Sequence, residues 1–298
     1  MNRPWLNQSM KTRGSLAVAL LTILTGVGVA NAAEEAICSD PAVFFCDNFE
    51  DRALGGNDLQ TNKGGKTTGW DISDTTTMVI STDTANDGTK SLKFIYPACS
   101  WVDGQGQGCG AGLMSNLVKF NRSDWYHRHY IKWSSDYTWA MGAADKHVAF
   151  ETIPTGPGGT LVYRQPWLYS RGFATPTKAI FEDEKNGNVT YIENQGNDLS
   201  FNLNQWYCVE VHLQFIAPGS SIAEMWIDDV LRTRWTNVGF TDPWSDAFLS
   251  GYWNTSTTPG SKGPGAKYFD NIVMSTARIG CLGARSSGPA VPSGLTVR

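Results

Sequence analysis

Nine residues, Trp125-Tyr126-His127-Arg128-His129-Tyr130-Ile131-Lys132-Trp133, alternate without a break. Read as a strand, successive side chains fall on opposite faces. The odd positions are Trp125, His127, His129, Ile131 and Trp133, mostly aromatic and apolar, and are assigned to a core. The even positions are Tyr126, Arg128, Tyr130 and Lys132, a row of phenols and cations. Such a row suits an acidic, ring-shaped ligand and is assigned to a groove. The alternative is an outer strand with a solvated polar face.

The rest of the chain repeats that pattern. Few stretches have helical periodicity, while many short runs alternate with period two between Gly, Asn, Asp and Pro clusters. Strands are predicted at 43–50, 69–72, 77–80, 91–96, 181–183, 189–192, 205–214, 223–231 and 267–275. Asn186-Gly187 marks a hairpin and Asn86-Asp87-Gly88-Thr89 a turn. Segments 97–115, 153–178 and 236–266 read as long, unpatterned loops. The fold class is all-β, a sandwich or jelly roll.

The first segment reads as an export signal. Residues 1–13 carry Arg3, Lys11 and Arg13 and no acid, Leu16 to Ala30 is apolar, and Ala30-Asn31-Ala32 is a small-x-small cleavage site. The apolar run is short for a membrane span. The predicted organisation is a signal peptide over 1–32, one β domain over 33–283 and a loose tail over 284–298. The tail's Pro/Gly-rich end resembles the opening of a fibronectin type III module. Removing three of the 24 basic residues and none of the 28 acidic ones leaves 21 against 28, a net −7. That argues against nucleic acid and anionic membranes as partners, since both need a basic footprint. The expected protein is a secreted or periplasmic monomer.

Six cysteines in an exported chain point to disulfides rather than a metal cluster. Cys99 and Cys109 flank a Gly-rich loop and are expected to pair. Cys38, Cys46, Cys208 and Cys281 allow three pairings; Cys38 with Cys46 and Cys208 with Cys281 is preferred.

Several of these segments carry a resemblance. Phe45-Cys46-Asp47-Asn48-Phe49-Glu50, Asp87 to Leu92, Trp206 to Gln214, Trp226-Ile227-Asp228-Asp229 and Tyr268-Phe269-Asp270-Asn271-Ile272 resemble, in that order, the concanavalin A-like sandwich proteins. Within that superfamily the chain is similar to polysaccharide lyases of the glucuronan lyase and chlorovirus-type alginate lyase kind, and to a related cellulose-induced secreted protein of fungi. Tyr126 to Asp136 looks like their central strand, where an Arg and a Tyr line a groove on a concave sheet. The resemblance covers roughly residues 43 to 283. It implies a secreted lyase that cleaves a uronic-acid polysaccharide by β-elimination, without an organic cofactor.

β-Elimination needs a group that neutralises the uronate carboxylate, a base for the adjacent proton and an acid for the leaving oxygen. Arg128 is the expected carboxylate clamp, because its planar fork matches a carboxylate. Tyr130 is the candidate acid and His147 the candidate base. Lys146 is the rival base by position in the family, although the related lyases have Gly-Lys followed by apolar residues where this chain has Asp145, Lys146 and His147. Strand alternation lets only one of the two face the groove. Tyr126, Lys132, Tyr252 and Asn254 are expected to bind substrate. His127 and His129 fall on the core face. His212 is expected on an outer face, satisfied by Glu210 and Gln214. The resemblance also implies a structural calcium ion held through hard oxygens by Glu50 and Asp270, with a backbone carbonyl from Asp87 or Gly88.

Each residue has a plainer role available, in packing, ion pairing or turn capping. The hydrolase branch needs a Glu-x-Asp-x-Glu strand, and no such run is present. A non-catalytic carbohydrate-binding protein stays open, and a surface or adhesion module is suggested only by the tail.

Overall fold

The computed structural model describes residues 35–282, except 62–68, 73–74, 102–112, 117–119, 139–142, 153–161, 171–177, 186–187, 194–200, 218–219, 239–243, 252–259 and 263. Contacts divide the chain into Met1–Ala30 and Asn31–Arg298, and every described element belongs to the second unit. Among the described residues a 3-10 turn (Ala36–Ser39) precedes eighteen strands. They are β1 (Val43–Asp47), β2 (Trp70–Ile72), β3 (Met78–Ser81), β4 (Ser91–Tyr96), β5 (Cys99–Trp101), β6 (Leu113–Asn116), β7 (Asp124–Trp133), β8 (Ala143–Lys146) and β9 (Val148–Thr152). Then come β10 (Val162–Ser170), β11 (Lys178–Lys185), β12 (Asn188–Glu193), β13 (Trp206–Gln214), β14 (Ser221–Ile227), β15 (Val230–Val238), β16 (Trp244–Ser250), β17 (Gly260–Lys262) and β18 (Gly265–Ser275).

The first sheet runs β15-β14-β13-β7-β18-β4-β3, with β1 also paired to β18. The second runs β12-β11-β10-β9-β16-β6-β2, with β8 also paired to β10, and β17 and β5 form a small separate pair. The long strand β18 pairs with β4 through Gly265 to Phe269 and with β1 through Ile272 to Ser275.

Period-two alternation explains why two sheets stack. Trp125, Ile131 and Trp133 of β7, Val209, Val211 and Leu213 of β13, and Phe269 of β18 are buried from one side. Val148 and Phe150 of β9, Ala247 and Leu249 of β16, and Trp70 of β2 join the same cluster from the other. Burying each large apolar side chain contributes about 1.5–3 kcal/mol. This two-layer arrangement is a β-sandwich, as the alternation predicts.

Two expectations are corrected, and a third, the hairpin at Asn186-Gly187, is met. The run 223–231 is not one strand but a hairpin, because Asp228 and Asp229 both take positive φ and turn β14 into β15. The three segments read as loops contain strands: β5 and β6, then β10, then β15's end, β16 and β17. In β10, Pro166 stands inside a strand although proline cannot donate to the ladder, and β10 pairs with β8, β9 and β11. The hairpin expected at Asn186-Gly187 joins β11 to β12, which pair from Lys185 and Asn188 outward; its two central residues lie outside the described ones.

Disulfides Cys38–Cys46 and Cys208–Cys281 form, which is the preferred pairing. Cys99 is also disulfide-bonded, and its expected partner Cys109 lies outside the described residues.

Candidate functional site

The odd face of β7 is core throughout, as predicted. His127 and His129 lie between the sheets, and His147 reaches them from the second sheet. His129 Nδ1 sits 3.4 Å from His127 Nδ1, and His129 Nε2 sits 3.1 Å from His147 Nδ1. The chain of imidazoles ends at His147 Nε2, which is buried and has no hydrogen-bond partner among the described residues. Burial removes the solvation that a charged imidazole needs. It holds His127 down to about 3, and His129 and His147 well below their ordinary value. For His147 the second cause is the neighbouring Lys267 ammonium. His147 is therefore a neutral core residue that solvent does not reach, which corrects its assignment as the base.

The break at His147 has a geometric cause. His147 lies between β8 and β9, and both His147 and Val148 are fully buried. One extra residue there shifts the alternation, as a bulge does. Lys146 pairs with Trp167 of β10, whereas Phe150 pairs with Arg164. Trp167 and Arg164 are three apart and so take opposite faces. Lys146 is thereby placed on the face opposite buried Phe150.

The even face of β7 is not an open groove. Arg128 is 1% exposed. Its Nη1 donates to Glu35 Oε1 at 2.7 Å and to Gly280 O at 3.2 Å, and its Nη2 donates to Glu35 Oε2 and to Asn271 O. Tyr130 Oη accepts the Leu282 N–H. Glu210 of β13, opposite Arg128, accepts Ile279 N at 2.6 Å and Gly280 N at 3.2 Å. Two chain segments thus roof the middle of this face: 35–39 from before β1, and 276–282 from after β18. The Cys208–Cys281 disulfide ties the second segment down. Arg128 clamps Glu35, not a substrate, and Tyr130 holds the roof. Burial pushes the Tyr130 hydroxyl up to about 12.

Tyr126 stacks on His212, 4.1 Å between ring centroids and 5° from parallel, and burial pushes its hydroxyl up to about 12. His212 bonds Glu224 through Nδ1 and Asp124 through Nε2, both at 2.8 Å, rather than the expected Glu210 and Gln214. Lys132, nearer the edge of the roof, donates to Thr84 Oγ1 at 3.0 Å. Tyr252 and Asn254 lie outside the described residues.

The two carboxylates expected to hold calcium converge on one turn. Glu50 accepts Thr89 N, Thr89 Oγ1 and Lys90 N between 2.7 and 2.9 Å. Asp270 accepts Asn86 N at 2.7 Å, Asn271 N at 2.8 Å and Asp87 N at 3.4 Å. Burial, with Glu50 adding repulsion, raises the Asp270 carboxyl well above its ordinary value. The Asp87 carboxylate accepts Gly88 N at 3.0 Å. No group of three or more His, Cys, Asp or Glu side chains suited to a metal occurs among the described residues. The Glu50 and Asp270 carboxylates fit a hard cation in donor type, with the Lys90 ammonium already beside them, 2.7 Å from Glu50 O.

The second sheet carries a face that sequence reading missed. Across β8, β10, β11 and β12 one row is Lys146, Trp167, Ile180 and Glu193. The next is Gln165, Glu182 and Tyr191, and a third is Glu151, Tyr163 and Glu184. Tyr169 pairs with Lys178. By alternation these positions share the face opposite Phe150. Aromatic, amide, carboxylate and ammonium residue types are neighbours in register there. The available signal was the alternation of Tyr163, Gln165, Trp167 and Tyr169, masked by Pro166.

No family model and no curated protein sequence matches the chain. Solved structures do. An endo-β-1,4-glucuronan lyase from the fungus Trichoderma reesei superposes with a TM-score of 0.51 at 14% identity, covering 70% of this chain and 92% of that one. A variant of the alginate lyase Aly36B, in complex with an alginate trisaccharide, gives 0.53 at 14% identity, covering 78% and 98%. The alginate lyase vAL-1 from Chlorella virus gives 0.51 at 11% identity, covering 75% and 98%. The chain therefore has the concanavalin A-like sandwich fold of these lyases, and the resemblance noted in its motifs extends to its architecture.

Proposed function

We propose that this protein is an exported polysaccharide lyase that cleaves a uronic-acid polysaccharide by β-elimination on the Lys146–Trp167 face of the second sheet. The supporting observation is the placement of Lys146 beside Trp167 on that face, in a fold shared with lyases of acidic polysaccharides. The base takes the proton next to the uronate carboxyl, its electron pair forms the new C=C bond, and the glycosidic C–O bond breaks. The leaving oxygen takes a proton from the acid. Lys146 is the base, or the cation that neutralises the carboxylate. Tyr169 occupies the position diagonal to Lys146 on β10; such neighbours lie roughly 7–8 Å apart. It is the proposed proton donor. Glu50 and Asp270 would hold a structural calcium ion that supplies positive charge at the 86–90 turn and no chemistry.

The test is incubation of the mature protein, with calcium, with glucuronan, alginate, pectate and glycosaminoglycans, following the ultraviolet absorbance of unsaturated uronate. A rise supports elimination and identifies the polymer. A second reading, a non-catalytic carbohydrate-binding protein, is favoured by the enclosure of Arg128, Tyr130 and His147. Absence of product together with retention on a polysaccharide gel supports it.

A further inference from the structure

The elimination proposed above asks for a cation as well as a base, and Lys146 does not serve as both at once. A lysine takes a proton only as the neutral amine, whereas only the ammonium neutralises a carboxylate. Among the described residues, the strands of the second sheet carry Lys146, Arg164, Lys178 and Lys185. Arg164 pairs with Phe150 on one side and Asp183 on the other, and Lys185 lies two residues beyond Asp183. Alternation therefore places Arg164 and Lys185 on the face of buried Phe150. Lys178 pairs with Tyr169, and so shares the opposite face with Trp167 and Lys146.

The register gives the spacing. Lys178 is directly opposite Tyr169, where Cβ atoms lie about 4.5–5.5 Å apart, and Tyr169 is diagonal to Lys146. β11 and β8 pair with β10 from its two sides. Two strand spacings and one two-residue step therefore separate the lysines, about 12 Å between Cα atoms, with the Tyr169 position between them. Glu182 pairs with Gln165, and Glu151 and Glu184 with Tyr163, toward the other end of β10. The cationic positions thus gather at the Tyr169 end of the face. Glu193, on β12, is diagonal to Lys178. We propose that Lys178 is the cation that neutralises the uronate carboxylate, with Lys146 as the base and Tyr169 between them as the proton donor. The assignment rests on the lyase reading. Lys146 precedes fully buried His147 and Val148, whereas Lys178 opens β11. The first position suits a neutral amine, and a strand end suits a solvated ammonium. In the step, the Lys178 ammonium stabilises the charge that builds on the carboxylate as the adjacent C–H bond breaks. The Lys146 amine takes that proton, the electron pair forms the C=C bond, and the glycosidic C–O bond breaks. The leaving oxygen takes the Tyr169 phenol proton, and the Lys146 ammonium restores it through water.

The test is the initial rate of unsaturated product on the cleaved uronate polymer, supplied as the free acid and as its methyl ester. The proteins are the parent, Lys178→Gln, Lys178→Arg and Lys146→Ala. An ester carries no charge to neutralise. The expected result is a fall in kcat of about a hundredfold for Lys178→Gln on the free acid, the scale of one lost electrostatic contact, and a much smaller fall on the ester. Lys178→Arg should keep most of the rate on the free acid, because the charge remains. Lys146→Ala should lose both substrates, and thermal midpoints should match the parent's. If the parent leaves the ester intact, Lys178→Arg against Lys178→Gln on the free acid decides. A full rate for Lys178→Gln on the free acid, or Lys178→Arg as slow as Lys178→Gln, would overturn the assignment. So would equal losses on acid and ester, the mark of a structural ion pair with Glu193, or a loss confined to the acid in Lys146→Ala. In each of those cases product from the parent leaves the lyase reading standing. No product from the parent on any uronate polymer overturns both.

Discussion

The two faces of β7 solve the same problem in opposite ways. Both bury ionisable side chains. On the outer face charge is kept by pairing: Arg128 with Glu35, Glu210 with two backbone N–H groups, His212 with Asp124 and Glu224. On the inner face charge is given up: His127, His129 and His147 have only one another as described side-chain hydrogen-bond partners, and stay neutral. The difference shows that a polar strand face in a sequence does not identify a ligand groove. What separates the faces is the covering, and here the covering comes from the two ends of the domain.

The comparison breaks most sharply at the roof. Arg128→Ala strands a buried Glu35, and Glu35→Ala strands Arg128; each should lower unfolding free energy by about 3–5 kcal/mol. The pair Arg128→Met with Glu35→Leu should recover part of that loss, since apolar replacement leaves no lone charge. Urea denaturation measures all three, and if Arg128→Ala is as stable as the parent, the roof contributes nothing. Next in size, Cys208→Ser with Cys281→Ser opens a loop of 73 residues. A loop of that length corresponds to about 4 kcal/mol in the chain-entropy estimate, read as a fall in thermal midpoint.

The inner face should respond to acid. A histidine whose folded pKa lies below its unfolded value binds more protons when unfolded. Its contribution is complete above about pH 6.5 and is lost as pH falls toward the folded value, which for His127 is about 3. Each such group costs at most about 1.4 kcal/mol per pH unit in that window. Denaturant midpoints should therefore drop steeply below pH 6, and His127→Phe should flatten the drop. A slope unchanged by the substitution contradicts an uncharged cluster. The smallest effect is of opposite sign. His212 has its pKa raised by Glu224 and Asp124, although burial acts the other way. Its stabilisation is present below about pH 6.5 and disappears as pH rises through the raised value. With Asp124 about half exposed, the loss should stay near or below about 1 kcal/mol. Proton NMR of the His212 ring checks it, and His212→Gln should remove the alkaline slope.

Much of the fold was legible because alternation is a local property. The five odd residues of β7 were assigned to the core from their order alone, and all five are buried. The site was less legible because its determinants are long-range. Glu35 meets Arg128 across 93 residues and Leu282 meets Tyr130 across 152. No period connects them. The one available hint was Cys208 on the same face as Arg128 and Tyr130, since its preferred pairing with Cys281 already carries the end of the domain over that face. At His147 the alternation slips by one, so a regular strand could not decide between it and Lys146. In β10 the alternation is interrupted twice, by Arg164 at the register of buried Phe150 and by Pro166.

The most direct measurement is the initial rate of ultraviolet absorbance increase on a uronate polymer for the parent, Lys146→Ala and His147→Gln. The expected result is product from the parent, loss of at least about a hundredfold in Lys146→Ala, the scale of a lost acid–base group, and a rate for His147→Gln that follows only its stability. A full rate in Lys146→Ala, or no product from any uronate polymer with folded parent protein, would contradict a lyase site on the second sheet.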